Sequence, residues 1–249
     1  MTMHNKFDPT KFKVSCRDCN LYHLCLPRGL AEEELVEFER LVTPNRPLQA
    51  GKCLYQANDP FKSIFAVKSG SMKSVVSTAD GEEQIVGFHL PGELVGFDGL
   101  HDDRHTCAVW ALEPSTYCEM SFSKLGEFCA RFPSLQRELY HMIGGEMSMD
   151  QSMLVLMAKR PAEERFAMFL LSVSRRLASR GFSEAEFFLT MSRFDLANYL
   201  GLAVETVSRL FRQFMDEGLL EVERKRIRIL DLERFRAKVS TTLAEACAQ

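Results

Sequence analysis

At 249 residues, with 46 % hydrophobic content and a formal net charge of −3, the chain can bury a core as one large domain or two small ones, which excludes a disordered or fibrous protein. The polar N-terminus MTMHNKFDPTKFKVS and the lack of any run of roughly 18 apolar residues predict a soluble, cytoplasmic protein with no secretion signal and no membrane partner. The charge is uneven: from Lys159 onward 16 Lys and Arg oppose 13 Asp and Glu, against 15 and 21 before it, so the C-terminal third suits an anionic partner.

CRDCNLYHLC, residues 16 to 25, sets three cysteines at a CxxCxxxxxC spacing. A reducing cytosol disfavours a disulfide framework, so the eight cysteines divide into metal ligands or reactive thiols and small buried hydrophobes. Cys16, Cys19 and Cys25 are clustered, whereas Cys53, Cys107, Cys118, Cys129 and Cys247 are scattered. A CxxC loop offers two thiolates to one metal centre or cluster. Tetrahedral zinc usually draws on two paired CxxC units or on CxxC with His, and His23 is available for that role. The longer interval to Cys25 is unusual for zinc and leans toward an iron–sulfur cluster; a merely structural cysteine cluster is the remaining alternative. Three ligands leave one iron of a cubane unsatisfied, so a distant fourth cysteine is expected, with Cys107 and Cys118 as candidates.

Residues 47 to 122 alternate in short runs such as SIFAVKSG, broken by ADG, PG and SG, and predict an antiparallel roll of about eight strands. Pro133 then opens a long helix with two apolar stripes. Tyr140, Ile143, Met147, Asp150, Leu154 and Met157 form one; Leu135, Leu139, Met142, Glu146, Met149, Met153 and Leu156 form the other. One stripe can pack on the roll and leave the other for a partner helix, the alternative being burial of both in the same chain. Gly144 and Gly145 weaken the middle by roughly 1 kcal/mol each relative to Ala. Asp150 would face its own copy across a two-fold axis, which makes dimerisation conditional.

After Pro161, AEERFAMFLLSVSRRLASRG predicts an amphipathic helix ended by Gly181. Ser192 can cap a helix ending near Leu200, Gly201 turns the chain, and a second helix runs from Val204 to Glu217 before Gly218. This is the pattern of a helix-turn-helix. Ala197, Gly201 and Val207 supply a small contact residue, a left-handed turn and a β-branched core residue. The second helix presents Glu205, Ser208 and Arg209 on one face with Arg212 a turn on, donors and acceptors suited to base edges in the major groove of double-stranded DNA. A solvated helix surface would account for those charges but not for the Ala, Gly and Val spacing. Ala203 is a poor N-cap, forfeiting about 1 kcal/mol relative to Ser or Thr. LLEVERKRIRIL predicts a hairpin wing whose Lys225, Arg226 and Arg228 reach phosphates. The expected divisions are 1–30, a cysteine segment; 31–132, a β-roll; 133–160, a dimerisation helix; and 161–249, a winged helix-turn-helix. No P-loop or GxGxxG is present, and the six histidines show no ordered nucleophile partner, so no enzyme is expected.

CRDCNLYHLCLP, GEEQIVGFHLPGELVGFD, ALEPSTYCE, GFSEAEFFLTMSR and NYLGLAVETVSRLF, in this order, resemble the oxygen-sensing FNR branch (fumarate and nitrate reduction regulators) of the catabolite-activator superfamily over nearly the whole chain. The resemblance implies an α+β protein: an N-terminal double-stranded β-helix of the cyclic-nucleotide-binding type (a jelly roll), a long dimerisation helix and a C-terminal winged helix-turn-helix. It implies a [4Fe-4S] cluster on Cys16, Cys19, Cys25 and Cys118, with the other cysteines as packing residues. The intact cluster favours a homodimer on DNA, oxygen degrades it, and the dimer is controlled along Ile143, Met147, Asp150 and Leu154. Glu205, Ser208 and Arg209 match a base-reading ExxSR pattern for TTGAT-like inverted repeats; Val204 stands where the cyclic-AMP branch has an arginine. Gly81, Glu82, Glu83, Phe182 and Ser183 match surfaces that touch RNA polymerase. Glu93 matches a ribose-binding glutamate, but His105-Thr106 replaces the Arg-Ser pair for the phosphate, so no cyclic nucleotide is expected. The implied function is oxygen-responsive global regulation of anaerobic metabolism, the alternative being a zinc-stabilised or nitric-oxide-responsive DNA-binding regulator.

Overall fold

The computed structural model describes residues 15–44 and 47–239, which leaves Cys247 outside the described residues. A 3-10 turn at Tyr22–Leu24 leads to helix α1, Glu32–Glu39. Three glutamates in the first turn of α1 suit the positive end of its dipole, and Glu34 accepts from the Ala31 amide at 2.8 Å.

Eight strands follow: β1 (Val42–Pro44), β2 (Cys53–Tyr55), β3 (Ser63–Ser69), β4 (Met72–Ser77), β5 (Glu83–His89), β6 (Leu94–Val95), β7 (Ala108–Ala111) and β8 (Thr116–Ser121). They form two four-stranded antiparallel sheets, β1-β8-β3-β6 and β2-β7-β4-β5. The roll thus begins five residues before the alternating stretch. Alternation on β3 sends Phe65 and Val67 to the interior with Tyr55, Met72, Val95 and Val109. Ile64 and Ala66 face the other way, into a second core with Met120, Leu94, Leu35 and Phe38.

Helix α2 (Phe122–Arg131) and α1 were not anticipated by the periodicity; both close the second core through Phe38, Leu125 and Phe128. Helix α3 (Pro133–Lys159) runs unbroken through Gly144-Gly145, with Pro133 in its first turn. Its two stripes differ in part: Met149 of the second is exposed, while Ile143 and Met157 of the first pack against the chain's own cores. Leu135, Leu139 and Leu156 are buried in their own chain, whereas Tyr140, Met147 and Leu154 are 62 %, 59 % and 70 % exposed.

Helix α4 (Ala162–Ala178) is the expected amphipathic helix, and its apolar run is buried continuously from Phe166 to Leu171, which makes it a central helix. Val75, Ile85 and Phe88 of the roll complete its cover. Strand β9 (Glu186–Phe188), α5 (Arg193–Leu200), α6 (Val204–Asp216), β10 (Leu220–Glu223), β11 (Arg226–Ile229) and α7 (Leu232–Arg236) complete the C-terminal region. The wing is a three-stranded sheet, β10-β11-β9, larger than the expected hairpin.

The roll and the helix-turn-helix are in direct contact. The Asn198 amide group accepts from the Ile85 amide at 2.6 Å and donates to the Glu83 carbonyl at 2.7 Å, mimicking a strand against β5. Lys73 on β4 meets Asp195 on α5 at 2.6 Å. Among the described residues, no helix is long and apolar enough to cross a membrane.

Candidate cysteine centre and DNA-reading surface

Cys118 lies mid-strand on β8, opposite Pro44 on one side and Ala66 on the other. It shares a face with Met120 and packs with Cys16 and Cys25 on the second core, to which Leu135, Leu139, Met142 and Ile143 of α3 also belong. Burial pushes the thiols of Cys16 and Cys25 up to about 12, and Cys118 is the next influence on each. Cys118 is itself raised by burial, partly offset by Lys68, and Cys19 acts on all three. These thiols need a cationic centre to ionise.

The loop is anchored on both sides. The Cys16 amide donates to Glu39 Oε1 at 2.6 Å, and Arg28 pairs with Glu138 of α3 at 2.5 Å. Neither ion-pair partner was singled out from the sequence, because a long-range charge pair leaves no local signal. Cys107, the other candidate for a fourth ligand, sits elsewhere, with its Sγ 3.4 Å from Asp98. Cys129 is buried, and Cys53 donates to the Tyr55 carbonyl at 2.9 Å.

The loop at His105-Thr106 is closed internally. Asp98 accepts from Tyr55 at 3.0 Å, from His105 Nδ1 at 3.2 Å, and from the amides of Thr106 and Cys107 at 2.8 and 3.2 Å. His105 is buried and stacks on Tyr55 with ring centroids 3.7 Å apart.

On the C-terminal side, Ser192 caps α5 by accepting from the Asp195 amide at 3.0 Å while Asp195 accepts from the Ser192 amide at 2.9 Å. Gly201 takes the left-handed conformation, φ 60°, that closes the turn. Arg165 of α4 donates to the Leu200 carbonyl at 2.7 Å and holds that turn. Helix α6 starts at Val204, with Ala203 as an N-cap residue that supplies no side-chain hydrogen bond. It buries Val207, Leu210, Phe211 and Phe214 and leaves Glu205, Ser208, Arg209 and Arg212 exposed together.

The wing carries two exposed ion pairs. Arg226 pairs with Glu186 at 2.8 Å and Arg228 with Glu221 at 2.7 Å, so both charges are already engaged. Lys225 instead lines a pocket of about 180 Å³ with Arg193, Arg224 and Ser192 beside the start of α5. Gly81, φ +86°, Glu82 and Glu83 form the tip of the β4–β5 hairpin. Phe182 is 62 % exposed. Ser183 accepts from the Ala185 and Glu186 amides at 3.2 and 3.1 Å, which commits it to the turn before β9.

A β-roll, a long helix with one uncovered stripe and a winged helix-turn-helix with an exposed polar reading face define a DNA-binding transcription regulator and not an enzyme. Residues 45–132 match the cyclic nucleotide-binding domain family and residues 164–238 the Crp-like helix-turn-helix domain family. The chain is 45 % identical to the transcriptional activator protein anr of Pseudomonas aeruginosa over 219 residues, 88 % of this chain and 90 % of that protein. It is 44 % identical to the fumarate and nitrate reduction regulatory protein of Escherichia coli K12 over 216 residues, 87 % and 86 % of the two chains. The structure of FixK2 from Bradyrhizobium japonicum superposes with a TM-score of 0.73 at 27 % identity, covering 80 % of this chain and 98 % of that one. The chain belongs to the FNR branch of the CRP/FNR superfamily of transcription regulators.

Proposed function

We propose that this chain is an oxygen-responsive homodimeric regulator of anaerobic metabolism, with a [4Fe-4S] cluster held by Cys16, Cys19, Cys25 and Cys118. The observation that carries the reading is the place of Cys118: a mid-strand cysteine of the roll, turned toward the N-terminal loop on the core that also seats the first turns of α3. When bound, the cluster supplies an oxygen-labile redox centre. The chain's own residues do the rest. Leu26 and Leu30 bury the loop beside Leu135 and Leu139, and Arg28 reaches Glu138, so the order of the loop is felt at α3. The stripe of Ile143, Met147, Asp150 and Leu154, exposed from Met147 onward and half-buried against the second core at Ile143, is the dimer surface, where Asp150 opposes its own copy unless the packing beneath is complete.

Functionally, residues 1–30 bind the cluster, 31–132 form the sensory roll, 133–160 dimerise and 161–249 bind DNA. Glu205, Ser208 and Arg209 read TTGAT-type inverted repeats, with Arg212 beside them. Gly81, Glu82, Glu83 and Phe182 face RNA polymerase, with Ser183 shaping the loop under Phe182. No cyclic nucleotide takes part: Asp98 already occupies the Thr106 and Cys107 amides that an incoming phosphate would need. The test is sedimentation and operator binding before and after air. A dimer that binds a TTGAT repeat without oxygen and becomes a non-binding monomer in air supports the proposal. An oligomeric state and affinity indifferent to air contradict it.

A further inference from the structure

Glu93 stands in the turn between β5 and β6, and in this chain it is gripped by helix α4. Arg176 donates Nε to Oε1 at 2.8 Å and Nη2 to Oε2 at 2.5 Å, and Arg180 donates Nη2 to Oε1 at 2.6 Å. The guanidinium groups also hold main chain, Arg176 at the Phe88 carbonyl and Arg180 at the Pro91 carbonyl. The Leu90 amide donates to Glu93 Oε2 at 2.8 Å. The Arg180 side chain is 4 % exposed and that of Arg176 17 %. A two-point, sheltered guanidinium–carboxylate contact fixes an angle as well as a distance, unlike a solvated surface pair.

Helix α4 carries this angle to the reading head. Phe166 packs edge-on against Phe211 of α6, centroids 4.6 Å apart, and Arg165 holds the turn after α5.

The cysteine loop is the third body at the junction. Gly92 has φ +91°, and a Cβ there would stand 3.1 Å from Leu24 Cβ, so the loop rests directly on the turn that carries Glu93. His23 Nε2 is 3.3 Å from the carbonyl of Ser179, the residue that ends α4. Both contacts come from between Cys19 and Cys25.

We infer that Glu93, Arg176 and Arg180 form a latch that orients the DNA-binding domain on its own roll, and that Leu24 and His23 hold the latch closed. The cysteine loop then has a route to the DNA-binding domain that stays within one chain and bypasses α3. The loop's share of this rests on the proposed cluster as what orders it; the latch itself does not.

The test uses full-length protein purified without oxygen, comparing wild type with Glu93→Gln, Glu93→Asp and His23→Ala. Iron content and dimer fraction are measured beside hydrogen exchange in residues 85–94 and 174–182 and affinity for an inverted-repeat duplex. Glu93→Gln is expected to keep its iron and its dimer, to exchange faster in both segments and to bind DNA about ten-fold more weakly. Glu93→Asp recovers part of that loss, and His23→Ala shows a smaller one in the same segments. Unchanged exchange and affinity in Glu93→Gln, or equal losses in Glu93→Gln and Glu93→Asp, overturn the latch. Should Glu93→Gln not fold, Arg180→Lys is judged by the same exchange and affinity criteria. Iron-free wild type counts against the cluster reading, and the exchange comparison still decides the latch.

Discussion

Arg28 in the cysteine loop pairs with Glu138 on α3, Nη2 to Oε1 at 2.5 Å, with the Glu138 side chain only 16 % exposed. Glu138 Oε1 is buried without a well-aligned hydrogen bond, so Arg28 is its charge partner and not a geometric fit. Removing Arg28 alone strands a sheltered carboxylate; removing both charges does not. Arg28→Met is expected to cost about 1–2 kcal/mol in urea unfolding, and the double variant with Glu138→Gln less than the sum of the single losses. Strictly additive losses would show that loop and helix are not coupled through this pair.

Asp150 is exposed on the uncovered stripe of α3, between Met147 and Leu154. Asp150→Ala removes the like charge that a two-fold axis would bring together and is expected to raise the dimer fraction in air. An unchanged sedimentation profile would count against the role given to this residue.

Arg209 and Arg228 are both exposed arginines, but only Arg228 already has a carboxylate, Glu221, at 2.7 Å. Arg209→Ala is expected to cost about 1–3 kcal/mol on the inverted repeat and to relax one base position. Arg228→Ala should weaken binding less, and to the same extent on every sequence. If Arg209→Ala loses affinity equally on all duplexes, it touches phosphate and does not read a base.

Glu146 lies on the stripe of α3 that faces its own chain. Burial raises its carboxyl from 4.5 to about 7, with Asp150 one turn on adding to the effect. The folded chain therefore holds this proton more tightly than the unfolded one. The stability it contributes is complete below about 4.5 and is lost as the pH rises through about 7. Glu146→Gln is expected to flatten the fall in Tm across that window and to raise Tm by a few degrees above it. A slope identical to wild type would mean that other groups carry it.

The roll and the helix-turn-helix were legible because their signals are local. Alternating runs end at turn residues, Ser192 caps α5 and Gly201 supplies a positive φ. Helices α1 and α2 were not, since eight and ten residues with a few apolar positions carry too weak a period. The continuous burial of Phe166 to Leu171 in α4 was hidden because its cover comes from Val75, Ile85 and Phe88, some eighty to a hundred residues earlier. The ion pairs of the wing were not legible for a related reason: Glu186 and Glu221 meet Arg226 and Arg228 only once three strands are paired. At the cysteine centre the triplet is visible in one line of sequence, while Cys118 entered through the family resemblance. Spacing alone left Cys107 and Cys118 equal, and the fold separates them by strand face, Cys107 toward Asp98 inside the roll and Cys118 toward the N-terminal loop.

The central claim is that Cys118 joins Cys16, Cys19 and Cys25 on one oxygen-labile cluster. Metal and sulfide analysis of protein purified without oxygen tests it most directly, with Cys118→Ala and Cys107→Ala alongside. Wild type and Cys107→Ala are predicted to be brown, to hold about four iron and four sulfide per chain and to bleach in air, while Cys118→Ala is pale and iron-poor. A colourless wild type with one zinc per chain, or a Cys118→Ala variant that keeps its full iron, would contradict it.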